Sequence, residues 1–334
     1  MSTTDGEQPG RRLRFPGIAA LPSRVTKATL ATTVLIVVGG VIAPSTVSLS
    51  AIMSMLPFFA VLAVASIGQH LVIQQRGLDL SVAGIMSFAA VMVSAYPGLD
   101  AGPWETVGYV GLALLMGLGV GAVSGLLVTL LGVPALVATI GINSLMLGAT
   151  MHVSGGFAQQ VPPALNAFGL GRFLGLPSTV WAMLVLTACT AFILARMSIG
   201  RRFIAASVNP AAAVAVGIRL DLYRIATYTL AGFCYAAAGV LLAAYVLSPT
   251  VFSGLPYLLA SVASVVVGGN SIGGAQRGSV VATVIGALFL TYLGQLVLAL
   301  GFGISAQNIV QALIIIASFA LPEMMRRRMA VATR

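Results

Sequence analysis

The sequence predicts an all-α integral membrane protein with about ten transmembrane helices, both termini in the cytoplasm and one short cytoplasmic helix. Of the 334 residues, 59% are hydrophobic and 7% are charged, whereas a soluble domain carries about 25% charged residues. The charged residues fall in short groups between long apolar stretches, which is typical of a multi-pass membrane protein. A net charge of +10 would suggest nucleic-acid binding in a soluble chain. Here it reflects orientation in the membrane, and no nucleic acid is expected as a partner.

Stretches without charged residues define the individual helices, since about 20 apolar residues cross the hydrocarbon core. The eighth stretch begins at Pro256 and ends at Gly268, so a broken or half-length helix is predicted there. Gly117, Gly121 and Gly125 lie on one face of the fourth span, which favours close helix packing. The predicted spans are 28–48, 51–73, 80–97, 106–131, 134–153, 178–196, 222–246, 256–268, 279–300 and 305–322.

The positions of the basic residues predict the orientation. With the N-terminus in the cytoplasm, every one of the 17 lysines and arginines except Arg172 falls on the cytoplasmic side, as the positive-inside rule requires. Three regions are therefore expected. Residues 1–27 form a basic cytoplasmic tail without fixed structure, residues 28–322 form a single transmembrane domain in the lipid bilayer, and residues 323–334 form a second basic cytoplasmic tail.

The apolar segments lack the groups that membrane catalysis or ion-coupled transport requires. His70 and His152 fall toward opposite membrane faces in the predicted topology, so they cannot share a metal ion. No carboxylate falls at mid-membrane, because Asp79, Asp100, Glu105, Asp221 and Glu323 all lie at span ends. Lys27 is the sole lysine and no glycine-rich loop precedes it, so a phosphate-binding loop cannot form. We expect a chain that is not an enzyme and binds no cofactor or metal, so any ATP must be hydrolysed by another subunit.

Uncharged polar residues remain as candidates for a route through the membrane. Thr139 and Asn143 lie four residues apart on one face of the fifth span. Such groups can line a path for a neutral hydroxylated solute, and they can equally hold helices together. Asp79 precedes a helix start, where a carboxylate acts as an N-terminal cap or as a gate. The pathway candidates are Thr139, Asn143, Ser261, Ser264 and Asn308, with Ser144, Gln295, Gln307 and Gln311 as further polar positions.

A short helix is predicted in the longest cytoplasmic loop, residues 197–221. Asn209 suits the N-cap, Pro210 suits the first helical position, and Gly217 suits the residue after the end. The alanines and valines between them make about two turns, roughly 10 Å long. Because so short a helix is not stable alone in water, it must pack either in a groove of a partner or among lipid headgroups.

Four motifs follow one another along the chain. They are Gly77-Leu78-Asp79-Leu80-Ser81-Val82, Val133-Pro134-Ala135-Leu136-Val137-Ala138-Thr139-Ile140-Gly141, the loop from Gly200-Arg201-Arg202 through Asn209-Pro210 to Gly217-Ile218, and Val265-Val266-Val267-Gly268-Gly269-Asn270-Ser271. Taken in this order, they resemble the permease subunits of bacterial ABC importers of the ribose-type monosaccharide class, which includes autoinducer-2 permeases. The resemblance covers about residues 50–322.

This resemblance implies the partners and the mechanism. A second permease copy or a paralogue would complete the pathway in the bacterial inner membrane, and a periplasmic sugar-binding protein would deliver the substrate. A cytoplasmic ABC ATPase would bind ATP and Mg²⁺ and would receive the short helix as a coupling helix. The residues implied in ATPase coupling are Gly200, Arg201, Arg202, Asn209, Pro210, Ala212, Ala213 and Gly217.

The loop also departs from the family pattern. Family members often have Gly-Gly before the Asn, Glu after the Pro and Arg further along, whereas Ser207, Val208, Ala211 and Val214 stand here. Docking is therefore expected to depend on shape and apolar packing. The alternatives are a secondary carrier of neutral solutes, an exporter of the same architecture and a membrane enzyme. The missing mid-membrane carboxylates disfavour the carrier, and the missing catalytic groups disfavour the enzyme.

Overall fold

The structure is a computed structural model that describes residues 23–271, 276–314 and 316–317. Within these residues the chain is a bundle of α-helices with one 3₁₀ turn, Pro44–Val47, and one small hairpin. The helices are α1 (Arg24–Ile42), α2 (Leu49–Gln74), α3 (Val82–Ala95), α4 (Pro103–Thr129), α5 (Ala135–Ser154), α6 (Pro163–Leu170), α7 (Ser178–Arg196), α8 (Ser198–Val208), α9 (Pro210–Ala215), α10 (Leu220–Val246), α11 (Leu255–Val267), α12 (Val280–Ala299) and α13 (Ile304–Ile314). The antiparallel strands are β1 (Arg172–Phe173) and β2 (Leu176–Pro177).

The prediction of an all-α membrane bundle is confirmed, and each predicted span overlaps one of these helices. Among the described helices, seven are long and apolar enough to cross a membrane, namely α1, α2, α4, α5, α7, α10 and α12. Three others, α3, α11 and α13, are apolar but shorter. The short eighth span is confirmed as the 13-residue α11. The cytoplasmic placement of the termini stays a prediction.

The ends of the chain are described only in part. Helix α1 begins at Arg24, with the Ser23 hydroxyl accepting a bond from the Thr26 backbone nitrogen, so its first turn lies inside the region predicted as a tail. The predicted tail residues 1–22 and 323–334 lie outside the described residues, as does the end of the tenth predicted span.

The core is built from α2, α3 and α10, with α4 packed closely along α10. Close packing of α4 requires the glycines that the sequence predicted. A Cβ on Gly117 would lie 2.5 Å from the carbonyl oxygen of Gly232, and one on Gly121 would collide with the carbonyl oxygen of Tyr228. Backbones that approach this closely gain dispersion contacts, which drive helix association in lipid.

The two ends of the bundle carry different secondary structure. Helices α8 and α9 lie at one end, here called the α9 end, where Gln74 at the end of α2 contacts Ser207 of α8. The β1–β2 hairpin and α6 lie at the opposite end, here called the hairpin end, where Arg172 and Pro177 lie near Ser50 at the start of α2. Helix α8 was not predicted, because Arg201 and Arg202 interrupt its apolar pattern and were interpreted as loop.

Candidate functional site

A cavity of about 660 Å³ opens in the half of the bundle nearest the hairpin end. Its walls come from the first half of α2, the start of α11, the second half of α12 and α13. No charged side chain is present among the described residues that line it. The polar and aromatic lining residues are Ser45, Thr46, Ser54, Phe58, Tyr245, Tyr257, Thr291, Gln295, Gln307 and Gln311.

Gln295 lines this cavity and has a polar atom without a partner. Its Nε2 donates to the carbonyl oxygen of Thr46 at 3.2 Å, while its Oε1 is enclosed by protein and has no partner among the described residues. A buried acceptor without a partner costs roughly 1–3 kcal/mol, and a solute hydroxyl would reach this oxygen only after the side chain rotates. The cavity thus has the chemistry for an uncharged ligand that carries hydroxyl groups.

Aromatic rings form part of the same wall. The rings of Phe58 and Tyr245 pack edge to face with centroids 5.2 Å apart, and the Tyr245 hydroxyl donates to the carbonyl oxygen of Ser54 at 3.4 Å. Aromatic side chains offer a large apolar surface together with a polar edge. A small ligand with both apolar and hydroxylated faces fits such a lining.

The predicted pathway residues of α5 contact α3 instead of lining this cavity. Thr139 is fully buried, and its hydroxyl donates to the Ala135 carbonyl at 2.8 Å and accepts from the Leu80 nitrogen at 3.0 Å. The Oδ1 of Asn143 accepts from the Gly84 nitrogen at 2.8 Å. Both side chains therefore hold the start of α3, which is the packing alternative that the sequence left open.

The other pathway candidates are also absent from the cavity lining. Ser261 and Ser264 are fully buried and their hydroxyls donate to carbonyl groups of α11 itself. Asn308 is exposed on α13, whereas its neighbours Gln307 and Gln311 line the cavity. The i, i+4 spacing of those two glutamines was the sequence signal for the correct face of α13. A transport role for the three candidates stays a prediction.

Asp79 is fully buried in the turn that leads into α3. Its Oδ1 accepts from the Ser81 nitrogen at 2.9 Å and from the Ser81 hydroxyl at 2.6 Å, while its Oδ2 has no partner among the described residues. Burial raises the pKa of this carboxyl to about 6, against the opposing effect of the two hydrogen bonds. Asp79 stabilises the turn before the helix, but Ser81 is the residue that directly precedes α3. A gating role stays a prediction.

The short helix α9 has the ends that the sequence predicted. The Asn209 Oδ1 accepts from the Ala212 nitrogen at 3.1 Å, Pro210 is the first residue, and Gly217 has a φ of +80° just beyond the end. This left-handed conformation favours glycine because the residue has no Cβ. The local sequence therefore determines both ends of α9.

One residue of the predicted coupling set, Ala213, is not part of the exposed surface of α9. Ala213 is only 2% exposed and packs inside this subunit, so it cannot present a surface to a partner, because one side of so short a helix must cover its own bundle. Ala212 is exposed, and Val214 and Val216 are 57% and 76% exposed. The residues of α9 and its C-cap that can face a partner are the exposed ones, Ala211, Ala212, Val214, Ala215 and Val216.

The first three residues of the predicted coupling set, Gly200, Arg201 and Arg202, lie in α8. Gly200 is buried, and a Cβ there would collide with the carbonyl oxygen of Ile193 on α7, so this glycine serves helix packing. Arg201 is exposed and donates to the Arg196 carbonyl at 2.9 Å. Arg202 is also exposed. Both arginines lie in the first half of α8, and a coupling role for them stays a prediction.

Comparison with known proteins gives the family. Residues 48–319 match the model of the "Branched-chain amino acid transport system / permease component" family. The chain belongs to this permease family. It is 31% identical to the ribose import permease protein RbsC of Escherichia coli (strain K12), over 87% of this chain and 91% of that protein. No solved structure matches the chain at a significant level.

Further relatives of the permease extend the comparison. It is 29% identical to the ribose import permease RbsC of Haemophilus influenzae, over 86% of this chain and 89% of that protein. It is 30% identical to the autoinducer 2 import system permease protein LsrC of Escherichia coli (strain K12 / DH10B), over 83% of this chain and 80% of that protein. The resemblance inferred from the four motifs is confirmed, and so is the prediction of a multi-pass transport component rather than an enzyme.

Proposed function

We propose that this permease is the membrane-spanning subunit of an ATP-binding-cassette importer that moves a monosaccharide or a similar small neutral solute into the bacterial cytoplasm. The observation that carries this proposal is the cavity at the hairpin end, whose described lining offers hydroxyl and amide groups and no charged side chain. Sugar hydroxyls can form hydrogen bonds with such groups, whereas a charged solute would meet no counter-charge among the described lining residues. The ribose and autoinducer-2 import permeases among its relatives support the same substrate class.

The proposal assigns the energy source to a partner. A cytoplasmic ATPase subunit binds ATP and Mg²⁺ and receives α9 through its exposed residues, which include Ala212, Val214 and Val216, while Arg201 and Arg202 of α8 take part in coupling. A second permease copy or a paralogue completes the transport unit in the inner membrane. A periplasmic binding protein delivers the solute at the hairpin end, the half of the bundle in which the cavity lies. This arrangement needs no ionisable group in the cavity, unlike a secondary carrier driven by protons or sodium ions.

Reconstitution of the transporter tests the proposal. The permease is co-expressed with candidate ATPase subunits, and the purified complex is placed in proteoliposomes with candidate binding proteins. The expected result is a stable complex whose ATP hydrolysis rises with sugar-loaded binding protein and which accumulates labelled sugar. Uptake by the permease alone, driven by an ion gradient, would overturn the proposal and favour a secondary carrier. Failure of every ATPase candidate to assemble would also count against it.

A further inference from the structure

Three consecutive side chains at the end of α2 hold helix α8. Gln74 donates through Nε2 to the Ser207 hydroxyl at 2.7 Å, and Gln75 donates through Nε2 to the Phe203 carbonyl at 2.8 Å. Arg76 donates to the carbonyl oxygens of Ser207 and Val208 at 3.1 and 3.2 Å. Because Val208 directly precedes the Asn209 cap, these bonds fix the point at which α9 begins.

Among these three side chains, only Gln74 has a described contact with the segment that leads into α12. Its Nε2 also donates to the Gln276 carbonyl at 3.1 Å, and its Oε1 accepts from the Gly278 nitrogen at 2.7 Å. The side chain is 5% exposed, while its two bonds to the 276–278 segment are partly buried. A Cβ on Gly278 would lie 2.5 Å from the Gln74 Oε1, so the contact also depends on a glycine at that position.

The amide of Gln74 therefore connects its own helix, α2, to α8 and to the segment that leads into α12. Helix α8 carries α9, the proposed docking surface. Helix α12 begins at Val280, two residues after Gly278, and its second half lines the cavity. If α8 moves, the 276–278 segment must follow or a buried hydrogen bond must break, and packed helices move as rigid bodies with few alternative positions.

We propose that Gln74 is a positioning residue that transmits displacement of α8 and α9 to α12, and through α12 to the cavity. This inference depends on the proposed function, because it assumes that a partner moves α9. Gln75 and Arg76 attach α8 to α2 but make no described bond to the 276–278 segment. They therefore hold α8 in place without connecting it to α12.

The test uses the reconstituted transporter and measures solute moved per ATP hydrolysed. For Gln74→Leu we expect assembly and ATP hydrolysis to persist and the transport ratio to fall about five-fold or more, the lower range of typical coupling between sites. Ser207→Ala removes the bond from Gln74 to α8, together with a bond inside α8 from the Ser207 hydroxyl to the Ile204 carbonyl, and should lower the ratio in the same direction. Gln75→Leu is the matched control, since it removes one bond to the same helix but leaves the connection to Gly278, and its ratio should stay near that of the wild type.

A second measurement examines the permease without partners. Hydrogen–deuterium exchange at the backbone amides of 278–284 should be faster in Gln74→Leu than in Gln75→Leu. Equal ratios and equal exchange in the two variants would overturn the inference, as would a loss of transport that follows a loss of assembly. If the wild-type permease assembles with no ATPase, the proposed function fails, while the exchange experiment still tests the link between Gln74 and α12.

Discussion

The Oδ1 of Asn143 accepts a hydrogen bond from the backbone nitrogen of Gly84 at 2.8 Å, so α5 caps the first turn of α3. The first backbone N–H groups of a helix have no partner within the helix, and Ser81 makes no side-chain capping bond here. Thr139 accepts from the nitrogen of Leu80, which lies just before the helix. The two polar residues of α5 thus satisfy one backbone donor in the first turn of α3 and one in the turn that leads into it.

Asn143→Ala should therefore lower stability and leave solute recognition unchanged. The Gly84 nitrogen would lose its partner inside the bundle, which costs roughly 1–3 kcal/mol. The measurement is the thermal unfolding midpoint of the purified permease, with sugar affinity of the complete transporter measured in parallel. Ser144→Ala is the control, since that hydroxyl is exposed and donates only to the Ile140 carbonyl of its own helix. A normal midpoint with altered sugar affinity would favour the pathway role instead.

Gln295→Leu should impair transport. The substitution removes the amide of a residue that lines the cavity, together with its bond to the Thr46 carbonyl, and a missing hydrogen bond of about 1 kcal/mol corresponds to roughly a five-fold effect. We expect the uptake rate at saturating binding protein to fall by this factor. Thr291→Val is the matched control, because Thr291 lines the same cavity but its hydroxyl donates to the Ala287 carbonyl of α12. Equal uptake by both variants and the wild type would show that the Gln295 side chain does not contribute to solute transport.

The buried Asp79 predicts a stability that falls as pH rises. Because its pKa is raised to about 6 from an ordinary value of 3.8, the folded state binds the proton more tightly than the unfolded state. The stabilising contribution is fully present below the unfolded pKa and is lost as pH rises through about 6, with a full difference of roughly 3 kcal/mol.

Asp79→Asn provides the measurement for this pH dependence. The amide oxygen can still accept from Ser81, but the side chain no longer ionises. Unfolding midpoints of the wild type should fall between pH 5 and pH 7, whereas those of the variant should change much less. If the unfolding midpoints of the two proteins change with pH in the same way, Asp79 keeps an ordinary pKa in the folded state.

Ala212 and Ala213 are neighbours with opposite expected responses. Ala212→Glu places a carboxylate on the exposed surface of α9, so it should leave thermal stability unchanged and prevent co-purification of the ATPase. Ala213→Glu buries a charge inside the subunit and should lower the unfolding midpoint itself. Pull-down of the ATPase and thermal unfolding, measured on both variants, separate the two effects. An Ala212→Glu protein that still binds the ATPase and transports sugar would show that α9 is not the docking helix.

Structural features that depend on a local sequence pattern could be predicted from the amino-acid sequence. The positions of the spans follow from apolar length between charges, since the hydrocarbon core has a fixed thickness. The ends of α9 follow from Asn209, Pro210 and Gly217, because each has a backbone or hydrogen-bonding preference that acts within a few residues. The glycines of α4 predicted a close helix contact, although the sequence did not name α10 as the partner.

The sequence by itself determined a helical membrane bundle, its family motifs and the boundaries of the short helix, because these depend on neighbours along the chain. Only the tertiary structure decided which polar side chains already have protein partners. Thr139 and Asn143 are engaged by the start of α3, whereas Gln295 lines a cavity and only its Nε2 has a partner among the described residues. The same amide or hydroxyl can hold a helix or line a cavity, and the difference lies in which backbone groups from distant parts of the chain are brought within hydrogen-bonding distance.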